Sequence, residues 1–187
     1  MATTVTIQPN GVYYKYESGK WGDAQRLWDG NESSAPTNQS GAILLKLDFS
    51  FLPAGAWITQ VTARYVFKRG GSSMGTIRLM STNSASYAAP GPTEIKEIPL
   101  PNGTYNVAET HAGTVQLTPA ESSAFLGKTY RLISIPNMSS GTGYEVYLDV
   151  TYEESPSNIF VGPSQAKEVY VGSTKASAVY IGETKVL

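Results

Sequence analysis

Tyr13, Tyr14, Tyr16, Trp21 and Trp28 crowd the early part of the chain, interleaved with Asp23, Gln25, Asp29 and Asn31. Pyranose rings present apolar C–H faces that stack on Trp and Tyr, while amides and carboxylates take the hydroxyls, so this mixture suits a glycan. The same aromatics could instead plug the end of a β-sandwich, and residue types alone leave both readings open. Glycoside hydrolysis would need two converging carboxylates, drawn from Asp23, Asp29, Glu32, Asp48, Glu94, Glu97, Glu109, Glu121, Glu145 or Asp149. No spacing singles out a pair, and most of these positions suit solvent-facing or capping roles. His111 is the only histidine, which excludes a multi-histidine metal site, and its setting in NVAETHAGT predicts a surface loop residue. The Asp and Asn oxygens of WDGNESSAPTN (28–38) lack the D-x-D-x-D-G spacing of a calcium loop. GGSSMG (70–75) lacks the Lys-Ser/Thr of a phosphate loop and reads as a hairpin loop. The residues therefore predict no catalytic group, no metal and no cofactor: a protein that is not an enzyme.

Composition narrows the partners. Hydrophobic residues make up 41% of the 187 and charged residues 16%, with a net charge of -1, as in a compact globular chain. A domain that tracks a phosphate backbone carries excess Lys and Arg, so nucleic acid is not expected as a ligand. The absence of cysteine removes disulfides, thiolate metal sites and thiol nucleophiles together. MATTVTIQP shows no basic start or apolar core of signal-peptide length, and runs such as AILL (42–45) are too short to cross a bilayer. The expectation is a product of the cytoplasm with neither a signal peptide nor membrane insertion.

The elements that must position these residues are mostly strands. TVTIQ alternates and ends at Pro9-Asn10-Gly11; AILLKLDFS (42–50) is apolar enough for burial on both faces; ITQVTARYVFKR (58–69) is a long strand and TIRLMS (76–81) another. The proline-rich stretch 82–104 reads as loop around a short EIKEI segment (94–98). Thr118-Pro119-Ala120-Glu121 has the residues of a capping box with proline at the first helical position, which predicts one or two helical turns stopped by Gly127. TYRLISI (129–135) and YEVYLDVTYE (144–153) complete the set. In the latter, Tyr144, Val146, Leu148 and Val150 share one face and Glu145, Tyr147, Asp149 and Thr151 the other. Short strands, Gly/Pro/Asn turns and a single short helix predict an all-β fold, an antiparallel jelly-roll-like β-sandwich over residues 1–153.

A linker at 154–158 leads into a period-ten repeat over 159–187: IFVGPSQAKE, VYVGSTKASA and VYIGETKVL. Phe160, Tyr170 and Tyr180 stand in register. So do Val161, Val171 and Ile181 after them, with Val169 and Val179 before the two tyrosines, and a glycine closes each triplet. β-branched and aromatic residues followed by glycine are strand chemistry entering a turn. Strands of about eight residues would alternate up and down in a meander within one chain, or three chains would wind the repeat around a common axis. In either form so short an array cannot cover its own apolar face. Phe160, Val161, Val169, Tyr170, Val171, Val179, Tyr180 and Ile181 are accordingly expected to carry attachment or oligomerisation.

VYVGSTKASAVYIGETKV resembles the short repeats found at the ends of structural proteins of tailed bacteriophages. GAILLKLDFSFLPAGAWITQVTARYVF is similar to the strand, proline turn and strand of glycan-binding and virion-associated jelly-roll domains, and YEVYLDVTYE resembles their closing strand; the likeness covers residues 40–80 and 115–153. The resemblance implies a non-enzymatic virion structural protein, a head or tail appendage or decoration, made in the host cytoplasm and located in the virion. It also implies other virion proteins as partners and a homo-oligomer, with closed symmetry favouring a trimer. The displayed sandwich would hold a cell-surface glycan through Tyr13, Tyr14, Tyr16, Trp21, Trp28, Asp29 and Asn31. The alternative is a stand-alone carbohydrate-binding module, and a glycan-cleaving enzyme is a third class.

Overall fold

A computed structural model describes residues 2–15, 21–39, 41–70, 76–87, 91–136 and 141–154, together with the backbone of residues 170–171, 174–175, 180–181 and 184–185. The predicted roles of Tyr16, Phe160, Val161, Val169 and Val179 lie outside the described residues, as do the 71–75 part of the predicted hairpin loop and the 155–158 part of the linker.

Two antiparallel sheets face each other in a β-sandwich. In chain order the strands are β1 (Ala2–Ile7), β2 (Gly11–Lys15), β3 (Ile43–Leu47), β4 (Trp57–Arg69), β5 (Thr76–Thr82), β6 (Thr93–Pro99), β7 (Ala108–Gln116), β8 (Tyr130–Ile135) and β9 (Gly141–Glu153). One sheet has the order β1-β9-β4-β7 and the other β2-β3-β8-β5-β6. Between them lies one apolar core. Val61, Ala63, Tyr65 and Phe67 of β4 and Val146, Leu148 and Val150 of β9 meet Ile43, Leu45, Ile77, Leu79, Ile98, Ile133 and Ile135 of the other sheet. Successive side chains of a strand alternate between faces, and these are the inward-facing positions.

Where the alternation fails, the ladder is irregular. The β4–β9 register shifts where Val66 pairs with Glu145 and Phe67 with Gly143, leaving Tyr144 as the extra residue of a bulge. Glu145, the next residue, pairs with Val66 and keeps the outer face predicted for it with Tyr147 and Asp149, yet it is fully buried because Gln8 and the loop at Gly30 cover it. Gly143 is required beside it: a Cβ there would overlap the Tyr65 hydroxyl. The side chain of Gln39 clasps the same residue, accepting from Gly143 N (2.6 Å) and donating to Gly143 O (2.9 Å).

Helix α1 (Pro119–Leu126) begins with the predicted capping box: Glu121 N donates to Thr118 Oγ1 (3.2 Å) and Thr118 N to Glu121 Oε2 (2.8 Å). Lys96 Nζ, 2.6 Å from Glu121 Oε1, is the main cause holding the Glu121 carboxyl below its ordinary value, and the Thr118 amide adds to it. The buried face docks on β4, where Ile58 N donates to Ser122 Oγ (2.8 Å) and Phe125 meets Phe49 edge-on at 5.3 Å. Thr118→Ala is expected to lower stability by about 1 kcal/mol, read as a shift of the urea midpoint at unchanged slope. An unchanged midpoint would show that the cap carries no weight.

Several elements depart from the expectations. His111 sits on β7 rather than in a surface loop and is 4% exposed. Residues 93–99 form a full strand rather than a short segment in loop, and residues 11–15 form β2. In the tail the described residues form two-residue strands. β10 (Tyr170–Val171) pairs with β11 (Thr174–Lys175), and β12 (Tyr180–Ile181) with β13 (Thr184–Lys185). Within the second and the third unit, the described residues thus pair antiparallel with one another.

Candidate functional site

The aromatic segment divides into two places. Trp21 opens a loop closed at its ends by Trp21 N donating to Asn38 O (2.9 Å) and by an antiparallel bridge between Gly22 and Thr37. Its indole is fully buried in the core cluster with Ala24 and Leu27 from the following 3-10 turn, and Nε1 donates to Gly41 O at 2.9 Å. Both faces are therefore covered and no sugar ring can reach them, which corrects the expectation of Trp21 as a platform. Trp28 packs part-buried on the same core. Asp29 spends its oxygens within the loop, accepting from Asn31 N (2.8 Å) and Ser34 Oγ (2.9 Å), and Asn31 Oδ1 accepts from Ser33 N (3.0 Å). These side chains fold the loop, as Asx turns do.

Tyr13 and Tyr14 lie elsewhere, on the outer face of the five-stranded sheet, and sequence reasoning missed their companions. Tyr14 stacks on Tyr87 with centroids 4.2 Å apart and planes 12° from parallel. Tyr13 tilts against Tyr130 at 5.5 Å, and Lys46 Nζ stands 5.7 Å from the Tyr130 centroid. The topology explains the gathering. Tyr14 is opposite Leu44 in the β2–β3 ladder, Lys46 is opposite Leu132 in the β3–β8 ladder, and Tyr130 shares the face of Leu132. Leu44 and Leu132 are fully buried yet outside the central core, so this face carries its own apolar layer beneath half-buried rings. Tyr13 Oη donates to Ser84 O (3.0 Å), tying β2 to the chain that follows β5. Burial pushes the Tyr13 hydroxyl up, with the Ser84 side chain opposing it and Tyr130 adding to it. The alternation of Tyr130, Leu132 and Ser134 in TYRLISI could have revealed Tyr130; Tyr87, in a stretch of Ser and Ala, left no such signal.

A third feature is a buried carboxylate. Glu145 Oε1 accepts from Gln8 Nε2 (2.6 Å) and Gly30 N (3.1 Å), while Oε2 is buried without a partner. Burial pushes the Glu145 carboxyl up, with the Asp29 and Glu32 charges adding to it and the Gly30 amide opposing it. Tyr147, whose hydroxyl donates to Glu32 Oε1 (3.3 Å), is pushed up to about 12 by burial and then by the Glu145 and Glu32 charges.

Five further carboxylates hold strands and turns. Asp149 pairs with Arg64 and accepts from Thr6 Oγ1; Glu94 and Glu97 flank Arg78; Glu109 accepts from Thr104 N; Asp48 accepts from Ser50 N. His111 Nδ1 faces Pro101 O at 3.1 Å; a carbonyl only accepts, so Nδ1 carries a proton, and Nε2 is buried without a partner. A cleft of about 420 Å³ between α1 and the turn before β4 is lined by Gly55, Trp57, Pro119, Ser123 and Leu126 among others, with no titratable side chain. Among the described residues no group of three His, Asp or Glu side chains is placed to hold a metal ion, and no helix is long and apolar enough to cross a membrane.

No protein-family model matches this chain, and no curated protein matches it.

Proposed function

We propose that this chain is a non-enzymatic structural component of a tailed-phage virion, a head or tail appendage or decoration, held through its C-terminal repeat and displaying the β-sandwich. The observation that carries the reading is the identical backbone pairing of two successive repeat units. Tyr170 faces Lys175 and Val171 faces Thr174; ten residues on, Tyr180 faces Lys185 and Ile181 faces Thr184. A hairpin with two residues in each strand is not stable alone in water, and a chain that repeats one is built to be covered by something else. Other virion proteins and further copies of the chain, a trimer first among them, fit that requirement.

Light scattering on the full chain tests it. The wild type is expected to be oligomeric or to bind particles. The double variant Tyr170→Asp/Tyr180→Asp and a chain ending at residue 156 are both expected to lose that association. A wild type that is monomeric and binds no particle would sink the proposal.

A second reading, a carbohydrate-binding module, is favoured by the Tyr13/Tyr130 and Tyr14/Tyr87 pairs, whose half-buried rings suit C–H stacking by a pyranose. The two readings are compatible in one molecule, since the repeat and the tyrosine face are different parts of the chain.

A further inference from the structure

We infer that the tyrosine face of the five-stranded sheet selects an acidic sugar, stacking its pyranose ring beside Tyr13 and Tyr130 and pairing its carboxylate with Lys46. The inference rests on the carbohydrate-binding reading above and adds the ligand's charge and the residue that reads it. Three observations support it. The stem of Lys46 is laid down along the sheet, with Cδ 3.8 Å from where a Cβ on Gly11 would be, which carries the ammonium to the Tyr130 ring. Arg64, Arg78 and Lys96 each hold a carboxylate within ion-pair distance, whereas none of the described carboxylates reaches Lys46. Asp48, two residues further along the chain, is turned to Ser50 N at 2.8 Å, and that bond is the main cause keeping its carboxyl below the ordinary value.

The chemistry of the face then fixes the class of ligand. A cation on an aromatic ring, half-buried and with no counter-ion among the described residues, gains from a carboxylate brought in on a flat apolar body. Tyr13 has already given its hydroxyl proton to Ser84 O, so its oxygen is left to accept from a sugar hydroxyl. A polyphosphate strand would call for a row of cations, and the chain has a net charge of -1. One carboxylate per binding unit is what one lysine matches, as in a uronic or sialic acid.

Isothermal titration of the full chain with tri-galacturonate and sialyllactose, against the methyl ester of the first and plain lactose, tests the inference. The acids are expected to bind at least about tenfold more tightly than their neutral counterparts, the scale of a hydrogen bond to a charged group, and to weaken with added salt. Lys46→Gln should remove the difference, Lys46→Arg should keep it, and Tyr130→Leu should weaken acid and ester alike; each variant is first checked for an unchanged thermal transition. Equal affinity for acid and ester, or a Lys46→Gln variant that still prefers the acid, overturns the role of Lys46 and leaves the carbohydrate reading standing. Absence of binding to all four sugars overturns both, and particle attachment through the repeat is read separately by scattering.

Discussion

Trp21→Ala should lower the unfolding free energy by about 3–5 kcal/mol, the cost of removing a large aromatic from a packed interior. Trp21 is fully buried among Ala24, Leu27 and the residues of both sheets, and its Nε1–H satisfies Gly41 O. The truncation leaves a cavity and an orphaned carbonyl together. Trp21 also holds a backbone φ of 53°, a left-handed conformation that side chains other than Gly and Asn adopt at a cost, so the burial of its ring is what keeps the loop entry in place. Urea unfolding followed by circular dichroism measures the loss. Trp21→Phe, which keeps most of the apolar volume and gives up the hydrogen bond, should lose about 1–2 kcal/mol less than the alanine variant. An alanine variant with a wild-type midpoint would mean that the ring lies open to solvent and is available to a sugar after all.

Glu145→Gln should stabilise the protein at neutral pH, read as a higher denaturant midpoint than wild type, and do little in mild acid. The carboxyl is pushed above its ordinary value, first by burial and then by the Asp29 and Glu32 charges. In the window between the unfolded value and the raised folded one, the folded state therefore holds a proton that the unfolded chain has released. Stability contributed by this group is complete below the unfolded value and is lost as pH rises through the folded value. Glutamine keeps an oxygen for Gly30 N and Gln8 Nε2 and removes the charge, so its advantage should grow as pH rises from below the unfolded value through the raised folded one. Denaturant midpoints for the two proteins across that range decide it. A gain of equal size at every pH, or a loss near neutrality, would show that the carboxylate is not kept out of water as its surroundings indicate. Glu145→Ala should be worse than wild type throughout, because it strands the Gly30 amide and the Gln8 side chain.

The sequence made the fold class legible wherever a residue's local preference and its place in the sandwich agree. AILLKL reads as a strand buried on both faces and Ile43, Leu44, Leu45 and Leu47 are all buried; Thr118-Pro119-Ala120-Glu121 reads as a helix start and forms the capping box. It was mute where small or polar residues do the inward packing. β7 places Glu109, His111, Gly113 and Val115 on its inner face, a pattern with almost no apolar alternation, because the chain between Pro99 and Gly103 lies so close over Gly113 and His111 that larger side chains would not fit. The burial of Glu145 left no local signal, because its outer-face position is covered by residues distant in sequence, Gln8 and the loop at Gly30. The tyrosine site was half visible: Tyr13 and Tyr14 were singled out for their neighbours in sequence, whereas their neighbours in space come from β8 and the chain after β5.

Register also gives the molecule a direction. Ala2 and Trp57 both pair with Glu153, so the start of β1, the start of β4 and the point where the chain leaves the sandwich share one end. β4 runs from there to Arg69, a length of about 40 Å at the usual rise per residue. At that far end Asn106 N donates to Arg69 O (2.7 Å) and Arg69 Nη1 to Gly103 O (3.1 Å), bracing a loop tip on which Tyr105 and Val107 stand exposed. For an engineer the sandwich is a rod with a root and a tip. A label fused ahead of Ala2 would crowd the root, whereas a peptide grafted between Thr104 and Val107 would be carried at full reach.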